Sequence, residues 1–174
     1  MSNKFGIYIH IPFCKTICPF CNFNVYLSSS ADYDELVSFL LDELRTKSVL
    51  FSDKKLVSIH FGGGTPSLLP PRLLKKILNQ IERLFLVESD CEIALEINPY
   101  DNEVEEPVLF KDLGINRLSV GIQSFNNKKL KILGRNSTKE SNLYFIRKIS
   151  DCGFTNLSFD FIFGVDKESL KEWE

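Results

Sequence analysis

The sequence contains no apolar run that reaches the roughly 18 residues of a membrane-spanning helix. It also lacks an excess of charge of either sign, since the formal net charge is −2. A balanced charge gives no electrostatic reason to expect nucleic acid or an anionic membrane as a partner. The first residues, Met1 to Lys4, do not have the design of a secretory signal. We therefore expect a cytoplasmic protein without a transmembrane segment and without a nucleic-acid partner.

Low-complexity segments and internal repeats are also absent, and the cysteines are not the even, spread-out set of a secreted disulfide scaffold. There are five cysteines, and three of them, Cys14, Cys18 and Cys21, crowd into one short segment. In a reducing compartment, cysteines clustered in this way more often bind metal or take part in catalysis. Cys91 and Cys152 stand alone, and we expect both to be small buried apolar residues.

What the sequence does contain is a regular alternation of strand-like and helix-like segments over 174 residues, of which 44% are hydrophobic. Strands are predicted at 5–11, 56–61, 91–97, 115–122 and 155–163. Helices are predicted at 32–50, 70–85, 103–113, 128–133, 139–151 and 169–174. Five βα units in succession indicate a parallel sheet with right-handed crossovers in a single domain.

Each predicted strand has one apolar face and one polar face. In the first strand, Ile7, Ile9 and Ile11 alternate with Tyr8 and His10, and the other four strands follow the same pattern. A flat sheet covered on both faces would instead have continuous apolar strands. The pattern therefore favours an α/β fold in which the sheet curves into a partial TIM-type barrel with outer helices and a polar lumen. Burying that polar face without partners would cost several kcal/mol, so a polar ligand is expected there.

The strongest chemical signal is the C-x3-C-x2-C run of Cys14, Cys18 and Cys21 in the loop after the first strand. Three thiolates on one loop can hold three irons of a cubane cluster, and without a fourth nearby cysteine the last iron stays open to a small molecule. From spacing alone, a zinc site completed by His10 or a distant residue, and a chance cluster of cysteines, remain alternatives.

Several ordered motifs extend this signal over nearly the whole chain. They are Tyr8-Ile9-His10-Ile11-Pro12-Phe13 before the cysteines, and the segments 60–67, 96–99, 116–125 and 133–135. Together they resemble the radical S-adenosylmethionine (SAM) superfamily, and most of all its branch of oxygen-independent coproporphyrinogen III oxidases and heme chaperones. The resemblance implies a [4Fe–4S] cluster whose open iron is chelated by the amino and carboxylate groups of SAM. One-electron reduction then cleaves SAM into methionine and a 5′-deoxyadenosyl radical.

The resemblance also implies which residues contact the cofactors. The backbone of a glycine turn would meet the methionine end of SAM, a carboxylate would clamp the ribose hydroxyls, an arginine would bind the SAM carboxylate, and two aromatic rings would lie beside the adenine and the cluster. The turn contains Gly63, Gly64 and Thr65. The polar SAM contacts are Glu96, Gln123, Arg135 and Asp160, with Glu96 or Asp160 as the carboxylate clamp. The two aromatic residues are Tyr8 and Phe20. Taken singly, each also has a structural interpretation, as a tight turn, an ion pair or hydrogen bond, or a core aromatic.

Two positions depart from the family pattern. The oxidases of this branch carry a fourth cysteine two positions after Cys21, whereas this chain has Phe23, and heme chaperones typically have an aromatic residue there. The usual Gly-Leu-Pro turn after the fifth strand is here Gly164-Val165-Asp166. Phe23 favours heme-chaperone function over oxidative decarboxylation of coproporphyrinogen III to protoporphyrinogen IX. The implied partners are SAM, heme or a porphyrin, and an electron donor of the flavodoxin or ferredoxin type.

The family pattern continues beyond Glu174 with a sixth βα unit and a C-terminal substrate region. We therefore expect residues 1–174 to be an incomplete radical SAM core domain, truncated before the sixth unit, and heme to bind only in a longer protein. An inactive remnant and a metal-binding or heme-handling module are the other interpretations. No catalytic side chain is assigned, and SAM cleavage is the activity that the pattern leaves open.

Overall fold

The computed structural model describes residues 3–99, 107–166 and 168–172. Its strands are β1 (Lys4–Ile11), β2 (Phe13–Cys14), β3 (Tyr26–Leu27), β4 (Lys55–Gly63), β5 (Leu86–Ile97), β6 (Arg117–Gln123) and β7 (Leu157–Phe161). Its α-helices are α1 (Tyr33–Ser48), α2 (Pro71–Leu84), α3 (Pro107–Asp112), α4 (Asn127–Ile132) and α5 (Lys139–Asp151). Parts of the helices predicted at 103–113 and 169–174 lie outside the described residues. Within the described part of the chain, no helix is long and apolar enough to cross a bilayer.

Five of the strands form one parallel sheet in the order β1-β4-β5-β6-β7. Each strand therefore lies beside the strand that precedes it in this series, and helices lie between them along the chain. This arrangement confirms the predicted α/β fold with successive βα units. A short second sheet, in which Phe13 pairs with Tyr26 and Cys14 with Leu27, closes the base of the cysteine loop.

The core lies between the apolar face of this sheet and the helices. Helix α2 has a continuous buried face because its leucines and isoleucines recur at helical spacing. Helix α1 contributes Val37 and Leu41. The sheet contributes the alternate residues that the sequence predicted, which are Ile9, Ile11, Ile59, Phe61, Leu95, Ile97, Leu118, Val120 and Ile122. Burial of this face orients the polar residues of the same strands to the opposite side.

Strand β5 differs most from its predicted bounds, because it begins at Leu86 rather than at Cys91. Its register with β4 jumps from Leu56 opposite Val87 to Ser58 opposite Glu92, so β5 contains extra residues. Strand β4 has a bulge of its own, because consecutive residues Phe5 and Gly6 of β1 lie opposite Leu56 and Ser58. Leu56 is fully buried, whereas the simple alternation predicted Val57 on that face. The charged stretch before Cys91 resembles a loop in sequence, yet it continues the strand between the two segments of β5 that pair with β4.

The polar face of the sheet supplies many of its own hydrogen-bond partners. Arg117 donates to Glu92 at 3.0 Å across β6 and β5. Ser119 donates to Asp160 at 3.2 Å across β6 and β7. In each pair the acceptor lies two residues along its strand from the register partner of the donor, so the two side chains are diagonal neighbours on one face. They provide part of the hydrogen bonding that we expected a ligand to supply. The remaining polar groups converge at the carboxyl ends of the strands.

Candidate metal and cofactor site

A cavity of about 150 Å³ lies at the carboxyl ends of the five strands. It is lined by the predicted site residues other than Tyr8, namely Cys14, Cys18, Cys21, Phe20, Gly63, Gly64, Thr65, Glu96, Gln123, Arg135 and Asp160. Phe23, Ile97, Asn98, Ser119 and Gly121 complete the lining. Residues that are up to 146 positions apart in the sequence thus meet at one place, as expected for a parallel (β/α) sheet.

The cysteine loop is folded over the glycine turn at the end of β4 by backbone hydrogen bonds. The amide of Gly64 donates to Ile11 O at 2.8 Å, and the amide of Thr65 donates to Phe13 O at 2.8 Å. On the far side of the loop, the His10 ring Nε2 lies 3.0 Å from Asn24 O. These contacts hold Cys14 directly above the strand ends, and none of the three cysteines is in a disulfide.

The donor set has the number and type of ligands that a [4Fe–4S] cluster takes. Such a cluster binds one thiolate on each of three irons when its fourth iron is left open. Cys14, Cys18 and Cys21 line the same cavity and offer three thiols. Over residues 3–99, 107–166 and 168–172, no group of three His, Cys, Asp or Glu side chains is arranged to hold a single metal ion.

The glycine turn leaves no room for side chains. Gly63 has φ of 111°, a conformation that favours glycine. A Cβ on Gly64 would lie 2.6 Å from the Phe13 carbonyl oxygen and 2.9 Å from its carbonyl carbon. Both interpretations of these glycines therefore apply, because the turn is tight and its backbone also lines the cavity.

Glu96 is held in place from two sides. Its Oε1 lies 2.8 Å from His60 Nε2, and its Oε2 accepts a hydrogen bond from the Gly63 amide at 3.2 Å. About a third of the Glu96 side chain is exposed, at 34%. A carboxylate has further lone pairs, so Glu96 retains acceptor capacity toward a ligand. His60, to which the sequence assigned no role, is thus a positioning residue for Glu96.

Tyr8 does not line the cavity that contains the cysteines, although its ring lies near Glu96. Its ring stacks on His60 with centroids 5.7 Å apart, and its hydroxyl lies 3.3 Å from His10 Nδ1. Partial burial of the ring, together with the negative charge of Glu96, raises the pKa of Tyr8. Tyr8 lines a separate groove of about 490 Å³ between β1 and α1. Its predicted place beside the adenine stays a prediction.

Arg135 is buried, with 7% of its surface exposed. Its Nη2 donates to Asn98 Oδ1 at 2.6 Å and to Gly121 O at 2.7 Å. Its Nη1 lies 3.6 Å from Cys18 Sγ and points a donor at that sulfur. The guanidinium therefore places a positive charge beside the cysteine loop in addition to any contact with a bound carboxylate.

Gln123 and Asp160 close the opposite side of the cavity. Gln123 ends β6 with φ of 65°, in the left-handed region that residues other than glycine and asparagine rarely adopt. Asp160 on β7 is exposed and accepts a hydrogen bond from Ser119. Both side chains border the cavity from the polar faces of their strands, as the alternation of the sequence predicted.

The sequence did not single out Asn98, Ser119 or Gly121, although all three line the cavity. A signal for Asn98 was present, because it lies two positions after Glu96 and residues two apart share a face of an extended chain. Ser119 was placed on a polar strand face without a role. Gly121 is explained only by three-dimensional packing, since a Cβ there would lie 2.7 Å from Asn98 Oδ1.

Comparison with known proteins places this geometry in a family. The chain is 37% identical to heme chaperone HemW of Bacillus subtilis over 96% of its own length and 44% of that relative. It is 30% identical to the oxygen-independent coproporphyrinogen III oxidase of Salmonella typhimurium, over 97% of the chain and 37% of the relative. The chain thus spans less than half the length of these curated relatives.

The same family is found among solved structures. Coproporphyrinogen III oxidase (HemN) from Escherichia coli superposes with a TM-score of 0.89 at 27% identity, over 99% of this chain and 40% of that one. The sequence model of the Radical SAM superfamily, whose members use a [4Fe–4S] cluster and SAM, matches residues 8–174. The chain therefore belongs to the Radical SAM superfamily.

Proposed function

We propose that this chain carries a [4Fe–4S] cluster on Cys14, Cys18 and Cys21 and binds SAM at the open iron, as part of a cytoplasmic protein that handles heme. The observation that supports this most is the single cavity at the strand ends. The three thiols and the glycine turn open into it together with the polar side chains of β5, β6 and β7.

Each side of the cavity has a separate task in this proposal. When bound, the cluster and SAM supply reductive cleavage of a SAM carbon–sulfur bond to a 5′-deoxyadenosyl radical. Gly63 and Gly64 offer backbone close to the methionine end of SAM, and Arg135 offers its charge to the carboxylate. Glu96 and Asp160 offer carboxylates to the ribose hydroxyls. Gln123 and Thr65 contribute neutral hydrogen-bonding groups.

The aromatic residues of the cysteine loop give the cluster an apolar cover in this proposal. Phe20 and Phe23 both line the cavity and are 40% and 68% exposed. Apolar rings beside the sulfurs exclude water, and exposure to water is one of the factors that set the potential of such a cluster. We expect the remaining exposed ring surface to be covered by a further part of a longer protein or by an electron donor of the flavodoxin or ferredoxin type.

Heme handling is favoured over coproporphyrinogen oxidation by two observations. Phe23 lines the cavity where oxidases of this branch carry a fourth cysteine, and phenylalanine neither ligates iron nor transfers a proton. The identities to HemW proteins of Bacillus subtilis and Escherichia coli, 37% and 34%, exceed the 30% to the oxidase. The oxidase is the second candidate, because the HemN structure superposes on nearly the whole chain.

Anaerobic reconstitution tests the cluster. We expect about four irons and four sulfides per chain and a broad brown absorption that is lost in air. Replacing Cys14, Cys18 or Cys21 with alanine should each abolish the absorption. Matched controls are Cys91→Ala and Cys152→Ala, which should leave it unchanged. Cys91 is a suitable control because burial, with Asp90 and Glu92 nearby, raises its thiol pKa and keeps it protonated. One zinc ion per chain without sulfide would contradict the cluster assignment.

SAM binding is tested in the reconstituted protein. Adding SAM should alter the EPR spectrum of the reduced cluster, and dithionite should then yield 5′-deoxyadenosine. Glu96→Ala and Asp160→Ala should each weaken SAM binding by about 1–3 kcal/mol, the cost of losing a hydrogen-bond partner that bound SAM covers. Glu88→Ala, on β5 away from the cavity, serves as the control. Wild-type affinity in both cavity variants would place SAM elsewhere.

The branch is tested in a protein that extends beyond Glu174. We expect that protein to bind heme and to leave coproporphyrinogen III unchanged in an anaerobic assay with SAM and a reductant. Phe23→Cys restores the fourth cysteine of the oxidase pattern and shows whether that position alone limits turnover. Efficient formation of protoporphyrinogen IX by the wild-type protein would establish the oxidase function instead.

A further inference from the structure

We propose that Asn98 is a positioning residue that aims two hydrogen-bond donors, Thr65 and Arg135, at two of the cluster cysteines and so raises the reduction potential of the cluster. This inference rests on the proposed function, because it requires that the cluster be held by the cysteine loop. It assigns a task to Asn98, which neither the spacing of the cysteines nor the proposed SAM contacts involves.

Five side chains form one continuous chain of contacts across the cavity. Thr65 Oγ1 lies 3.5 Å from Cys14 Sγ, and Asn98 Nδ2 donates to Thr65 Oγ1 at 3.0 Å. On its other side, Asn98 Oδ1 accepts from Arg135 Nη2 at 2.6 Å, and Arg135 Nη1 lies 3.6 Å from Cys18 Sγ. The amide of Asn98 is therefore the link between the donors that face two different cysteines.

The direction of every hydrogen bond in this chain follows from Arg135. A guanidinium can only donate, so the oxygen of the Asn98 amide must face it. The amide nitrogen of Asn98 then faces Thr65 and can only donate to the hydroxyl oxygen. Since that oxygen accepts a hydrogen bond from Asn98, the hydroxyl donates in another direction, toward Cys14 Sγ at 3.5 Å. Asparagine is the residue whose one oxygen and one NH₂ group impose this arrangement on both neighbours.

The two donors that face the cysteines are buried, which strengthens their effect. Thr65 is 2% exposed and Arg135 is 7% exposed. In such surroundings a hydrogen bond or a charge acts more strongly than at the surface. Gly121 completes the enclosure, because its carbonyl accepts from Arg135 and a side chain there would collide with Asn98 and Arg135.

Donors directed at the sulfurs of an iron–sulfur cluster favour its reduced state. Reduction adds negative charge that is shared with the cysteine sulfurs, and hydrogen bonds to those sulfurs are among the factors that set the potential. Through Asn98, the cluster receives one neutral donor at Cys14 and one cationic donor at Cys18. Loss of Asn98 therefore makes the cluster harder to reduce.

The test is the reduction potential of the reconstituted chain, measured by EPR-monitored titration. Asn98→Asp keeps the size of the side chain but accepts from both neighbours, so it turns the Thr65 hydroxyl away from Cys14 and adds a negative charge. We expect the equilibrium constant for one-electron reduction to fall at least tenfold, which is about 59 mV. Thr65→Val removes one donor only and should give a smaller fall. In the Thr65→Val background, the shift caused by Asn98→Asp should shrink.

Asn156→Asp makes the same change at the opposite end of the sheet, beside Glu92, and should leave the potential unchanged. Wild-type potential in Asn98→Asp, at full iron and sulfide content, would overturn the proposal while leaving the cluster and SAM assignments intact. If Asn98→Asp takes up no cluster, Thr65→Val carries the test, and a wild-type potential in that variant has the same consequence. Absence of a cluster from the wild-type chain would overturn the proposed function and, with it, the role of Asn98.

Discussion

Gly64 follows β4 directly, and its backbone lies so close to Phe13 that there is no room for a methyl group. The Cβ of an alanine would meet backbone atoms of Phe13, which cannot rotate away. We expect Gly64→Ala to destabilise the folded protein by roughly 1–3 kcal/mol, as overpacking does, and to lower the iron content on reconstitution. Chemical denaturation and iron analysis measure the two effects.

The matched control is Gly6→Ala in β1. Its Cβ would lie 2.5 Å from Ser58 Oγ, which is the end of a side chain and can change rotamer. Gly6→Ala should therefore leave iron content unchanged. An equal loss of iron in both variants would show that the effect is general instability rather than closure of the loop.

Gln123 occupies a left-handed conformation, which costs a residue with a Cβ about 1–2 kcal/mol. Asparagine tolerates this conformation better, so Gln123→Asn should raise the free energy of unfolding by about 1 kcal/mol. Its shorter side chain should weaken SAM binding. Denaturant unfolding of the apoprotein and SAM titration give the two readings. The same change at Gln80, within helix α2, is the control and should not stabilise the protein.

Sequence reasoning identified the residues of the cavity mainly where strand alternation and motif agreed, as at Glu96 and Asp160. It assigned Arg135 to the carboxylate of SAM alone, whereas the structure also places Arg135 beside Cys18. It left Asn98 without a role because an asparagine in sequence gives no indication of which groups its amide joins. Tyr8 does not line the cavity, and the contact of its ring with His60 depends on the pairing of β1 with β4, which single-strand patterns do not contain.

Among the elements, helices α1 and α2 are joined at the surface by a bidentate ion pair. Arg72 donates to the two oxygens of Asp34 at 2.9 and 2.6 Å. The hydrogen bonds from Arg72, with the positive charges of Arg72 and Lys76, lower the pKa of Asp34 below its ordinary value of 3.8. A carboxyl with a lowered pKa stabilises the fold above its ordinary pKa, and this contribution is lost as the pH falls through the lowered value.

We therefore expect Asp34→Asn to be less stable than the wild type at neutral pH, by a small amount typical of exposed ion pairs. The difference in the free energy of unfolding should shrink as the pH is lowered below about 4. Asp42→Asn on the same helix removes a pair that lies within α1, and so tests the helix alone. A pH-independent difference at Asp34 would rule out the ion pair as its cause.

The sequence predicted the elements well where a hydrophobic period was uninterrupted, as in α2 and α5. It failed where pairing overrides local composition. The early part of β5 contains Glu88 and Asp90 and is extended because the strand pairs with β4 on both sides of them, at Leu86–Val87 and from Glu92 onward. Likewise α1 ends at Ser48 and passes into a tighter 3-10 turn over Val49–Phe51, although the apolar residues continue.

For the molecule as a whole, β1 and β7 are the edge strands of the described sheet. Phe161, the last residue of β7, is 42% exposed, and Phe163, two residues later, is 81% exposed. An exposed apolar edge strand promotes association between chains. We expect concentration-dependent self-association of this chain in sedimentation velocity experiments, and we expect Phe163→Lys to reduce it. Phe39→Lys on α1, also at an exposed position, is the control. A monodisperse wild-type monomer would contradict this expectation.

The order of the strands in the sheet has a consequence for the protein as it leaves the ribosome. In the five-stranded sheet, each strand pairs with the strand of that sheet that precedes it in the chain. The sheet can therefore grow in the order of translation. The cysteine loop emerges first, whereas Arg135 and Asp160 emerge more than a hundred residues later. For most of synthesis, the thiols are therefore exposed to solvent without the groups that later enclose them. A cluster inserted before these later residues are synthesised would contact only the three cysteines. This favours cluster insertion after the chain has left the ribosome.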